Sequence, residues 1–177
     1  MTLGSTFLQS AIARSAYYKE LGDNSFAQIG DADFHAQPNE VSNSIAVIIR
    51  HVAGNMLSRW TNFLDEDGEK AWRLRDQEFE EPDLDHAGLI ALWEKGWDCY
   101  LSALRSLTEA DLLRTITIRS EPLTVVDAIN RQLAHYPYHV GQIVYLARLL
   151  KGEGWKSLSI PKGDSEAFNS QMGHGTK

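Results

Sequence analysis

The sequence predicts an all-α fold, a four-helix bundle with a short extended segment between the third and fourth helices. Two observations carry this. Apolar residues recur at three- and four-residue steps in four separate stretches, the period of a helix with one buried face. No internal repeat or shift in composition divides the chain, so four amphipathic helices joined by longer connections are expected to share one core. The bundle is expected over residues 1–155, followed by a partly irregular C-terminal tail over 156–177.

The first helix is predicted from about Ser5 to Leu21, with Leu8, Ile12 and Ala16 on one face and Ser5 or Thr6 as the cap. Residues 22–42 carry Gly22, Gly30 and Pro38 and read as a connector. His35, within it, reads as a surface residue. Ser42-Asn43-Ser44 is a helix start, and Ile45, Ile48, Val52, Met56, Trp60 and Phe63 follow at helical steps. His51 falls on or beside the inward face of this second helix.

Residues 65–84 are rich in both charges and read as a solvated loop. Trp72 and Phe79 suggest that it folds back over the end of the bundle, where Arg73 or Arg75 can meet an anionic group. Asp83 or Asp85 caps a third helix to about Leu107, buried through Leu89, Trp93, Gly96, Trp97, Tyr100 and Leu104. Cys99 reads as a small core residue because no basic neighbour lowers its pKa. His86, at the helix start, reads as structural or solvated.

Arg114–Arg119 alternates polar and apolar residues as an extended segment does, and Pro122 is expected to stop it. Thr124 and Asp127 resemble a capping box for a fourth helix that runs to about Lys151 and ends at Gly152 and Gly154. His174, near the end of the tail, reads as disordered.

Composition narrows the function classes. The chain has 177 residues, 43% hydrophobic and 23% charged, ordinary values for a globular domain. A net charge of −7 and a pI near 5.3, with no Lys/Arg cluster, argue against nucleic acid as a partner. No apolar run is long enough for a membrane span, and the N-terminal residues lack the pattern of a signal peptide, so no membrane partner is expected. The lone Cys99 fits a reducing compartment, and a cytoplasmic location is expected.

The chemistry centres on Leu133-Ala134-His135-Tyr136-Pro137-Tyr138-His139-Val140-Gly141-Gln142 in the fourth helix. His135 and His139 lie one turn apart and face the same way, at the separation two imidazoles need to hold one metal ion. They flank the apolar stripe formed by Ile129, Leu133, Tyr136, Val140, Ile143, Val144 and Ala147. Histidines at the edge of a core need partners for their polar nitrogens. Pro137 between them removes a backbone donor and is expected to kink the helix or widen a turn. With His51 they form a three-histidine set suited to zinc or nickel, or to iron or copper, with a position left for water or substrate. Gln132, Gln142, Asn55 and Tyr138 are the polar candidates to support it.

The segment Asn43–Asn55 around His51, together with His135–Ile143, resembles the DinB/YfiT-like superfamily. Trp72–Phe79 and the tail from Leu158 through Asn169 are similar to one of its uncharacterised bacterial branches, so the resemblance covers nearly the whole chain. It implies a four-helix bundle in which a histidine triad, here His51, His135 and His139, binds a divalent metal, often in a homodimer. Characterised members of the superfamily include transferases that use low-molecular-weight thiols such as bacillithiol or mycothiol, and a mycothiol-dependent isomerase. Three functions follow as expectations: transfer of a small thiol to an electrophile, metal-dependent hydrolysis, or a non-catalytic binding or stress-response role in which metal secures the bundle. No catalytic residue beyond the three ligands is assigned.

Overall fold

A computed structural model describes residues 1–172. The described chain is mostly helical, with one two-stranded sheet. Helix α1 spans Leu3–Phe26, α2 Ile45–Trp60, α3 His86–Ser106 and α4 Val125–Lys151, and a short α5 covers Ser165–Gln171 in the tail. Strands β1, Thr115–Ile118, and β2, Glu121–Thr124, pair between α3 and α4. None of the helices is long and apolar enough to cross a membrane.

The helix starts follow from side chains that accept otherwise unpaired N–H groups. Ser44 accepts from the Val47 amide, Asp85 from Gly88 and Thr124 from Asp127. α1 begins earlier than the spacing of its apolar residues predicts. Thr2, not Ser5 or Thr6, is its cap, because the Thr2 hydroxyl and the Ser5 side chain each satisfy the other's backbone amide. α4 runs unbroken through Pro137. The lost hydrogen bond, worth about 3 kcal/mol in an unsupported helix, is offset by the fully buried Tyr136 and Val140 on either side. Gly152, at φ 61°, ends the helix in a conformation open to glycine. Within the tail, α5 is flanked by non-helical residues. His174 lies outside the described residues.

Pro122 does not end the extended segment. It sits inside β2 opposite Thr117, in a ladder that pairs Thr115 with Thr124 and Ile116 with Leu123. A strand with only one neighbour has an outer edge where a missing N–H costs nothing. The two-residue turn of this hairpin is Arg119 and Ser120, at φ 56° and 64°. Non-glycine residues in this left-handed region cost about 1–2 kcal/mol each. Asp67 supplies the compensation: its carboxylate accepts the amides of Arg119 at 2.9 Å, Ser120 at 2.8 Å and Glu69 at 2.7 Å. Gly68 N–H also donates to Thr117 O at 2.8 Å. The polar segment after α2 is thereby stitched to the hairpin.

Each long helix packs chiefly on two others, α1 on α3 and α4, and α2 on α3 and α4. Trp93, Trp97, Tyr100, Tyr136, Ile45, Ile49, Leu89 and Ile129 fill the shared core. At Gly96 of α3 an added Cβ would lie 2.9 Å from Ala53 Cα, so α2 and α3 approach almost backbone to backbone. A polar chain sets α2 against α4. Trp60 Nε1 donates to the Tyr136 hydroxyl at 3.0 Å, which donates to Asn55 Oδ1 at 3.0 Å. Because these atoms are buried, slipping one helix along the other would strand them at about 1–3 kcal/mol each.

The Asp67 clamp makes stability depend on acid. Burial pushes the Asp67 carboxyl up, but the amides of Glu69, Ser120 and Arg119 more than reverse this and hold it well below the usual carboxylate range. A carboxyl whose folded pKa is depressed contributes stability above its unfolded value of 3.8, and that contribution drains away as pH falls below it. Asp67→Asn is therefore expected to lower the urea midpoint at pH 7, with the gap to the parent closing between about pH 4 and pH 2. A gap that stays constant over that range would count against the clamp.

Candidate metal centre

His51 comes from the middle of α2, and His135 and His139 from successive turns of α4. The Trp60–Tyr136–Asn55 chain beside them fixes the register of these two helices, and the three imidazoles converge. One nitrogen of each lies within 4.8 Å of the other two. The ring centroids are 4.7 Å apart for His135 and His139, 4.8 Å for His51 and His139, and 5.6 Å for His51 and His135.

Hydrogen bonds orient two of the rings. Nδ1 of His51 donates to Glu78 Oε2 at 2.9 Å, and Nδ1 of His139 donates to Gln142 Oε1 at 2.8 Å, with Gln142 held in turn by the Tyr138 hydroxyl at 3.2 Å. With the proton on Nδ1, each ring keeps the lone pair of Nε2 free for a ligand bond. Nε2 of His139 and Nε2 of His135 are only 3.1 Å apart. Two metal-bound nitrogens with bonds of about 2.1 Å at ordinary coordination angles lie roughly 3.0–3.4 Å apart. The spacing of His135 and His139 therefore fits one divalent cation, and His51 offers a third nitrogen within 4.8 Å of both. Burial, with His139, His51, Arg131 and Arg73 nearby, pushes His135 down to about 3, and burial also lowers His139 despite the Gln142 bond and with His51 adding to it. Both rings are neutral near pH 7, as ligands must be.

Glu78 is the residue the sequence reading missed. The segment 65–84 is not simply solvated, for Lys70, Arg73 and Glu78 are all buried. Arg73 donates through Nε to Glu78 Oε1 at 2.7 Å and through Nη2 to Oε2 at 2.8 Å. Burial opposes charge on both partners, yet their pairing prevails, and the Glu78 pKa lies below its ordinary value and that of Arg73 above. Gly54 makes the room. A Cβ there would overlap the Glu78 carboxylate and stand 2.9 Å from its Cδ. The signal available in the sequence was Phe79, an aromatic amid charges, together with a glycine three residues after His51 in an otherwise good helix. The expected folding back of this segment holds for Phe79, whose ring stacks on His51 at 4.7 Å and 31°. Trp72 stays largely exposed.

Of the other polar candidates, Gln142 supports His139 directly and Tyr138 supports Gln142. Asn55 serves the buried Tyr136 hydroxyl. Gln132 is buried with its Oε1 unpaired. A cavity of about 490 Å³ opens beside the histidines, lined by His51, His135, Asn55, Gln132, Tyr138 and several arginines. The other two histidines among the described residues stand elsewhere. His35 meets Leu84 O at 3.1 Å, and His86 meets Asp31 at 2.9 Å and packs on Phe34. Cys99 is partly buried near the Thr61 hydroxyl, at 3.6 Å.

Glu78→Gln keeps the shape of the side chain but leaves Arg73 without its buried counter-charge and weakens the acceptor that holds His51 Nδ1. It is expected to destabilise the fold by about 3 kcal/mol, read as a fall in the urea midpoint at unchanged slope. A change within error would mean that the pair contributes nothing to holding His51.

A family profile matches residues 2–164, which take in the four long helices, the hairpin and all three converging histidines. No curated protein matches the chain. The chain belongs to the family described as "Protein of unknown function (DUF1572)".

Proposed function

We propose that this protein is a metal-dependent enzyme of the DinB/YfiT-like type, a four-helix bundle whose His51, His135 and His139 hold one divalent cation and whose cavity receives a small thiol and an electrophile. The observation that carries the reading is the convergence of three imidazole nitrogens from α2 and α4 within 4.8 Å, two of them, His51 and His135, lining an open cavity. The closed ring of packing among α1, α3, α2 and α4 supports the bundle. Three imidazole ligands suit zinc or nickel, and iron or copper less specifically, and leave coordination positions for a small molecule.

His51, His135 and His139 would hold a divalent cation, which would supply the Lewis acidity to lower the pKa of a thiol or water toward neutrality. The remaining work falls to the chain. Glu78 and Gln142 hold the Nδ1 protons of His51 and His139, so the Nε2 lone pairs stay free for a ligand bond. Phe79 covers one face of His51 and keeps water from it. The cavity places a second molecule next to His51 and His135, and that proximity is itself a large part of a transfer reaction. Hydrolysis would use the same ligands, and a purely structural metal would use the same burial.

Protein purified without an affinity tag is expected to carry about one divalent metal per chain, and His135→Ala to lose it. Metal-loaded protein is expected to join at least one of a panel of cellular thiols to a model electrophile such as monochlorobimane, and His135→Ala to do so at least about 100-fold more slowly. Stoichiometric metal with no turnover of any thiol would overturn the transferase reading. A hydrolytic rate without thiol would then favour hydrolysis. A large loss of thermal stability on chelation, with neither activity, would favour a structural metal.

A further inference from the structure

The chain carries a net charge of −7, yet the cavity beside the histidines is lined by Arg59, Arg73, Arg75, Arg119 and Arg131 and by no carboxylate. These five come from four places in the fold: α2, the segment after it, the hairpin turn and α4. Their counter-charges do not cancel them. Glu69 serves Arg59 at 2.8 Å, Arg119 at 3.2 Å and Arg73 at 3.5 Å, and Glu78 serves Arg73. Arg75 reaches only Asp76, at 3.9 Å and fully exposed. Arg131 has no carboxylate within 4.0 Å among the described residues, and lies one turn before His135 on the same face of α4.

Two buried atoms in the wall add a direction. Nη1 of Arg73, whose side chain is 1% exposed, makes no hydrogen bond and has only Glu69 Oε2 near it, at 3.5 Å, and Oε1 of Gln132 makes none either. Both residues line the cavity, so its wall holds a donor with only a long ionic contact and an acceptor with no partner, each costly to leave unmade. Arg119 adds a third sign. It lines the cavity from a left-handed backbone position that glycine would take without strain.

We infer that this cavity is an oxyanion-binding pocket, and that the small molecule processed at the histidines carries a carboxylate or phosphate group together with a hydroxyl or N–H. The oxyanion sits among Arg131, Arg75 and Arg119 and accepts a hydrogen bond from Arg73 Nη1, because guanidinium groups bind planar or tetrahedral oxyanions through paired N–H donors. The hydroxyl or N–H donates to Gln132 Oε1. Anchoring one end here leaves the other end beside His51 and His135. The inference deepens the proposed function and rests on that reading only for what happens at the free end.

Isothermal titration of the full chain with inorganic phosphate and with succinate, after metal is stripped by chelation, tests the pocket without the metal. At least one anion is expected to bind, more weakly as sodium chloride rises, and the stronger of the two separates a phosphate from a carboxylate guest. Arg131→Ala and Arg75→Ala alter exposed side chains and are expected to weaken that binding about tenfold each, while Arg50→Ala, outside the cavity, leaves it unchanged. Binding of neither anion, or equal binding by the parent and both pocket variants, would overturn the inference. Anion binding by a protein that carried no metal as purified, before any chelation, would leave the pocket standing and defeat the metal centre instead.

Discussion

A buried carboxylate joins helix α2 to the polar segment that follows it, and the rest of the site depends on that junction. Glu78 meets Arg73 through both oxygens and His51 through one of them, all three nearly out of reach of water. Desolvating such charges is costly, and the cost is met only when each lone pair and proton has a partner. Removing any one of the three would leave a buried charge or an unoriented imidazole. Gly54 leaves the space that admits the carboxylate, and Phe79 closes over the ring that it orients. The arrangement of carboxylate, imidazole and free lone pair is one that metal sites use to fix a ring and raise its basicity.

The same segment builds the cavity wall. Asp67 gathers three amides from its own chain and the hairpin turn, and Glu69 gathers Arg59, Arg73 and Arg119. Two acidic residues thus bring together cations that are far apart in sequence. The division of labour is clear. Rigid helices carry the imidazoles, with α2 and α4 locked by Trp60, Tyr136 and Asn55, while loop and turn carry most of the arginines. Sites held on helices keep their geometry, and loops around them set what enters.

The helices and the triad were legible in the sequence for a local reason. Apolar period, caps such as Ser44, Asp85 and Thr124, and the four-residue spacing of His135 and His139 are all properties of short stretches. Errors arose where a local rule met a tertiary partner. Thr2 capped α1 in place of Ser5 or Thr6 through a reciprocal bond, and Pro122 was accommodated because its strand has a free edge. Glu78 was hidden because a charged run looks solvated unless its partners are known, and both partners lie on other parts of the fold or several residues away. The arginine cluster was invisible for the same reason, since net charge averages over a chain whose cations converge only when it folds.

The central claim is that imidazoles from α2 and α4 share one cation. X-ray absorption at the edge of whichever metal accompanies the untagged protein tests it most directly, because the outer-shell scattering of imidazole rings is distinctive. The account predicts three imidazole nitrogens at about 2.0–2.1 Å with lighter ligands in the remaining positions, and fewer imidazoles in His51→Ala. A spectrum without imidazole scattering, or one that His51→Ala leaves unchanged, would contradict it.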